Sequence, residues 1–127
     1  MRLLLSGMAP QLHAICGGDA AQVSPITMGA AARDGDAAVR AALQRAGEWL
    51  GLGLANLVTA LHPELIVLGG GVAALGDLLL DPVRATILRR VRMFPADAVR
   101  VTCSALGDEA GLQGGLALAQ RGGRVFA

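Results

Sequence analysis

The residues best suited to chemistry are Gly69-Gly70-Gly71, which directly follow the apolar run Leu65-Ile66-Val67-Leu68. A strand that ends in glycines sets backbone N–H groups, clear of side chains, at the carboxyl edge of a sheet, where α/β proteins bind ligands in a crevice. Glycine lets the main chain approach a phosphate or ribose closely and adopt positive φ, and the next helix offers unpaired N–H groups. That chemistry is nucleotide binding. Taken alone, the same three residues are equally a tight turn with no ligand. They are not a P-loop, because no Gly-Lys-Ser/Thr follows, and they lack the GxGxxG spacing of a dinucleotide fold.

The remaining polar candidates have simpler structural readings. Asp108 and Glu109 are of the type that binds Mg²⁺ through water, but they are also well placed to cap the last helix at its N-terminus. His13 and Cys16 form only HxxC, too few ligands for zinc, so no zinc is expected. His62 precedes Pro63 and reads as a helix-end residue near terminal carbonyls rather than as a base. All basic residues are Arg, which excludes lysine-based chemistry.

The elements that must position these residues follow from periodicity. Asp36 is an N-cap for a long helix running to about His62, with Val39, Leu43, Ala46, Leu50, Leu54, Leu57, Val58 and Leu61 at helical spacing. Its second half, Trp49 to Leu61, is apolar on most faces and is expected to be buried; Gly47, Gly51 and Gly53 permit close approach of a neighbouring backbone. Pro63 ends the helix. Leu65 to Leu68 then reads as a central parallel strand covered on both faces. Leu78 to Arg92 is an amphipathic helix that tolerates Pro82 near its first turn.

Pro95 and Asp97 mark the next loop, and Val99 to Leu106 alternates as a strand with one wetter face. A final helix runs from about Glu109 to Gln120, where the glycines of Gly107-Asp108-Glu109-Ala110-Gly111-Leu112-Gln113-Gly114-Gly115 would let it lie close to the sheet. Strand, crossover helix and strand make a right-handed βαβ unit, so the fold class is α/β with a helical preponderance. Before Gly35, Ala9 to Ile15 and Ile26 to Arg33 each form a short helix, the second with Ser24 as N-cap and Pro25 at its first position.

Composition bounds the reading. The 127 residues suit one domain, large enough to bury a real core. Apolar residues make up 54% of the chain and charged residues 17%, which argues against disorder, and with two Phe, one Trp and no Tyr the core must be aliphatic. A net charge of +1 gives no field that would draw the chain to nucleic acid or an acidic membrane. The apolar runs fall short of the roughly 18 residues of a membrane span. Cys16 and Cys103 stand apart with no CxxC, and Met1 to Leu5 is no convincing leader, so a cytoplasmic location is expected.

Four segments in order carry a more specific resemblance. They are Ala31-Ala32-Arg33-Asp34-Gly35-Asp36, Leu50-Gly51-Leu52-Gly53-Leu54-Ala55-Asn56-Leu57, His62-Pro63-Glu64-Leu65-Ile66-Val67-Leu68-Gly69-Gly70-Gly71-Val72, and Ala105-Leu106-Gly107-Asp108-Glu109-Ala110-Gly111-Leu112-Gln113-Gly114-Gly115. Together they resemble the ROK family of sugar kinases and related repressors. The match is loose over residues 1–26, where Ser6-Gly7 resembles the point just after the family's zinc segment, and firm over the 27–127 core.

The resemblance implies a ribonuclease H-like, actin-like ATPase fold of which this chain is the carboxy-terminal half, with ATP in an interlobe cleft and any Mg²⁺ held with the other lobe. Gly69, Gly70, Gly71 and Val72 match the family's nucleotide-contacting turn; Gly51 and Asn56 match the helix beneath it, in supporting positions. The DxGGT-type phosphate turn, the Asn-Asp pair with its catalytic base, and the zinc- and sugar-holding segment do not occur in this sequence. The expectation is therefore an adenine-nucleotide binder, inactive alone, whose partners are a missing amino-terminal half or a second copy of itself. Two alternatives stand beside it: the effector or dimerisation half of a ROK-type repressor, and a ligand-free interaction module.

Overall fold

The computed structural model describes residues 8–93, Pro95 and residues 98–120; the side chain of Asp108 lies outside the described residues, as do Ser6-Gly7 and Asp97. The chain folds in the order α1 (Pro10–Ile15), a 3₁₀ turn (Ala20–Gln22), α2 (Pro25–Arg33), α3 (Ala37–Leu61), β1 (Leu65–Leu68), a 3₁₀ helix (Gly71–Leu75), α4 (Asp77–Arg90), β2 (Arg100–Cys103), a 3₁₀ turn (Gly107–Glu109) and α5 (Ala110–Gln120).

The caps sit where residue type predicts them. Ser24 Oγ accepts from the N–H of Thr27 at 3.2 Å and Thr27 Oγ1 accepts from the N–H of Ser24 at 2.8 Å, a reciprocal capping box with Pro25 at the first helical position. Asp36 caps α3 by accepting from Val39 N–H at 3.1 Å. The same carboxylate accepts from Leu12 N–H at 3.2 Å and is 1% exposed, so one buried side chain ties α1 to the start of α3. His62 closes α3 in the left-handed region, φ 49°, its N–H bonded to the Val58 carbonyl, which matches its reading as a helix-end residue.

The core lies between α3 and α4. Val39 and Val58 on α3 and Val83 and Ile87 on α4 are fully buried or nearly so, joined by Leu43, Leu79 and Leu80. The two helices meet through glycine. A Cβ at Gly47 would lie 2.5 Å from Pro82 Cγ, and one at Gly51 would lie 2.9 Å from the Val83 carbonyl. Gly47 and Gly51 are one turn apart on the same face, and their lack of side chains sets the interhelical distance, as the sequence leads one to expect.

β1 and β2 pair in parallel, Leu65 opposite Arg100 and Leu68 opposite Cys103, with α4 as the crossover. Arg84 of α4 then fastens the outer side of β2. Its Nη2 and Nε donate to the Val101 carbonyl at 2.8 and 3.2 Å, and its Nη1 pairs with Asp77 and Asp81 at 3.1 and 3.2 Å.

Four expectations need correction. β1 is not central or covered on both faces: among the described residues the sheet has two strands, and Leu65 and Val67 are exposed on the face that α4 does not reach. The second half of α3 is not buried all round, because α4 covers only the Gly51, Ala55 and Val58 stripe, leaving Trp49 at 73% and Leu61 at 71% exposure. Pro82 is the sixth residue of α4, not near its first turn; it leaves the Leu78 carbonyl without the usual donor, and its ring fills the space over Gly47. Finally, α5 does not lie close on the sheet: no residue of it is buried, and among the described residues nothing lies within 4 Å of a Cβ built on Gly111, Gly114 or Gly115.

Candidate functional site

The carboxyl end of β1 runs straight into the glycine turn. Ser104 N–H donates to the Leu68 carbonyl at 2.7 Å, which draws the end of β2 alongside the last residue before the turn. Gly70 then takes φ 74°, ψ −170°, a conformation open to glycine and strained for any L side chain, and its carbonyl accepts from Ala73 N–H at 3.0 Å to start the 3₁₀ helix. The first N–H groups of such a helix have no acceptor within it.

Gly69, Gly70, Gly71 and Val72 are all exposed at this edge. A Cβ at Gly69 would lie 3.9 Å from Ser104 Cβ and one at Gly71 would lie 3.8 Å from Pro25 Cγ, whereas among the described residues nothing lies within 4 Å of one at Gly70. The turn is thus held between the end of β2 and the start of α2, with open space over its middle glycine. A flat or anionic group can reach the main chain there. The residues present fit a nucleotide to that extent: unobstructed backbone at the carboxyl edge of a parallel sheet.

Gly51 and Asn56 are not brought to this turn by direct contact. Gly51 is buried against α4, where a Cβ would come 2.7 Å from Thr86 Cβ, and Asn56 is exposed on α3. Glu109 is exposed, and the residues Gly107–Glu109 form a 3₁₀ turn that leads directly into α5. Leu106 N–H donates to Ser104 Oγ at 3.2 Å. His13 packs its ring beside Gly18, and among the described residues no three of His, Cys, Asp and Glu converge as a metal site would require.

Two features were not visible in the sequence. Pro25 and Ser104 flank the turn, although the only local signal at Ser24-Pro25 is a helix start. A cavity of about 580 Å³ between α3 and α4 is lined by Arg45, Trp49, Arg89 and Arg90, with Glu48, Leu52 and Thr86. A second, of about 590 Å³, lies behind the 3₁₀ helix and is lined in part by Arg33, Arg40 and Asp81. Neither includes the glycine turn, which opens directly to solvent. No helix among the described residues is long and apolar enough to cross a membrane.

Comparison with known proteins places this arrangement. The chain is 40% identical over 85 residues to the glucokinase of Halalkalibacterium halodurans, covering 67% of this chain and 26% of that protein. It is 29% identical over 97 residues to the xylose repressor of Caldicellulosiruptor bescii, covering 76% of this chain and 24% of the repressor. This chain therefore spans about a quarter of the length of these relatives. Its fold superposes with TM-score 0.78 on a ROK family glucokinase from Streptomyces griseus, solved in complex with glucose and AMPPNP; the match has 30% identity and covers 91% of this chain and 38% of that one. The architecture is thus that of the actin-like ATPase fold. With residues 2–122 matching the family's sequence pattern, this chain belongs to the ROK family.

Proposed function

We propose that this chain is the carboxy-terminal, nucleotide-binding portion of a ROK-type sugar kinase, and that its ligand is ATP. The observation that carries the reading is the turn at Gly69–Val72: exposed main chain at the carboxyl edge of β1, with a left-handed Gly70 and free space above it. The Streptomyces griseus relative, described with glucose and AMPPNP bound, supports the ligand class. Bound ATP supplies the phosphoryl group. The residues of this chain hold and orient the nucleotide by backbone contact, and any Mg²⁺, the general base and the sugar contacts come from residues outside this sequence. Alone, the chain is a weak nucleotide binder without transferase activity, and it acts in the cytoplasm.

Calorimetric titration of the full chain with AMPPNP tests this reading. Binding that is lost in Gly70→Val supports it, as does binding that strengthens when an amino-terminal ROK half is supplied. Phosphorylation of glucose by the chain alone would refute the inactive assignment. No binding with or without the added half would refute the nucleotide site.

A second reading is favoured by the match to the xylose repressor over 76% of this chain. In it the same fold serves as the effector or dimerisation half of a transcriptional regulator. The sequence encoded upstream of Met1 separates the two: a DxGGT-type turn belongs to a kinase, a helix-turn-helix to a repressor.

A further inference from the structure

The α3–α4 cavity carries an unassigned set of charges. Arg45 and Trp49 come from one face of α3, Arg89 and Arg90 from the last turn of α4, and the space between them measures about 580 Å³, within the range of small-molecule sites. The two ion pairs among the described residues both belong to Arg84, so these three guanidinium groups have no carboxylate partner there. Glu48 is the one acid on the wall, and its Oε1 already accepts from Gln44 Nε2 at 3.0 Å. Arg89 is oriented by donating through Nη2 to Thr86 Oγ1 at 3.0 Å, and Thr86 is itself 3% exposed.

The helix macrodipole accounts for Arg89 and Arg90 at the end of α4. It does not account for Arg45, which stands in the interior of α3 one turn from Trp49, nor for an indole left 73% exposed at the rim of a cationic cleft. Three guanidinium groups lining one space, none ion-paired to the single carboxylate there, suit a phosphate, whose oxygens accept forked N–H donors. The cavity lies at the C-terminal end of α4 and the glycine turn precedes its N-terminal end. A helix of 14 residues therefore separates them, about 20 Å at the α-helical rise.

We propose that this cavity is a second ligand site, independent of the nucleotide reading, which takes the phosphate group of a small phosphorylated molecule on Arg45, Arg89 and Arg90 with its remaining face against Trp49. A ligand there bridges α3 and α4 beside the exposed face of Trp49.

Trp49 is the only tryptophan, so the full chain reports on the site by intrinsic fluorescence. Titrations with inorganic pyrophosphate and with a hexose 6-phosphate, each against chloride at matched ionic strength, should give a saturable change in emission. Tighter binding of the ester assigns the site to phosphorylated metabolites and tighter binding of pyrophosphate to the inorganic anion; both support a phosphate site. Arg45→Glu with Arg89→Glu should weaken it by about tenfold or more, while Arg89→Lys, which keeps charge but loses the fork, should weaken it less. Circular dichroism should show both variants folded, since these side chains are exposed. A response equal to that of chloride, or one unchanged in the double variant, overturns the proposal.

Discussion

Gly51 of α3 stands so close to Thr86 of α4 that a Cβ on the glycine would fall 2.7 Å from the threonine's own Cβ. A rotamer change cannot relieve that contact, because a Cβ is fixed to the backbone, and the Val83 carbonyl at 2.9 Å closes the other direction. Gly51→Ala must therefore push the two helices apart, at a cost of roughly 1–3 kcal/mol. Gly53, two residues on, has nothing within 4 Å, so Gly53→Ala should instead stabilise the helix by about 0.5–1 kcal/mol. Urea unfolding of the two variants should move the midpoint in opposite directions.

Asp36 performs two tasks with one carboxylate. Removing it in Asp36→Ala deprives α3 of its cap and leaves the buried Leu12 N–H without an acceptor. The expected loss is about 1–3 kcal/mol, and amide hydrogen exchange should accelerate at Leu12 as well as at Val39. Asp36→Asn, which retains one acceptor oxygen, should keep protection at one of the two amides.

Arg84 separates hydrogen bonding from charge. Its carboxylate partners are 76% and 71% exposed, so Asp77→Asn and Asp81→Asn should change stability by no more than about 0.5 kcal/mol each, less still in high salt. Arg84→Met removes both donors from the Val101 carbonyl and should cost about 1 kcal/mol, largely independent of salt. Thermal melts at low and high ionic strength distinguish the two effects.

The exposed apolar side chains predict association. Leu112 at 65% and Leu116 at 50% exposure stand on one face of α5 with nothing described against them. Replacing both with Gln should leave the unfolding midpoint within about 0.5 kcal/mol of its original value, because neither contributes to the core. Sedimentation velocity should then shift toward the monomer.

Local signals explain what the sequence revealed. Ser24-Pro25 and Asp36 announce helix starts by side-chain chemistry, Pro63 and the glycines after Leu68 announce stops, and the spacing of Val39, Leu43, Leu54 and Val58 declares a helix. The close helix contact was likewise legible in Gly47 and Gly51.

Cover was not legible. Hydrophobic periodicity states which residues favour leaving water, yet Leu65, Val67, Trp49 and Leu61 remain exposed because the described elements offer no partner for their faces. Pro82 misled for a related reason: its tolerance inside α4 depends on a glycine 35 positions earlier. Ser104 and Pro25 at the turn, and the arginines of two different helices at one cavity, are joined only by the tertiary fold.

The clip made by Arg84 has a directional consequence. Arg100 and Ser104 donate toward β1, so Val101 between them turns its main chain outward, and that carbonyl is already occupied by the guanidinium. The backbone of Leu65 and Val67 faces the opposite way, beside side chains that still present apolar surface. Among the described residues the outward carbonyl of β2 is thus taken by the chain's own arginine, while the outward backbone of β1 meets no described strand, so the two margins of the sheet are chemically unlike.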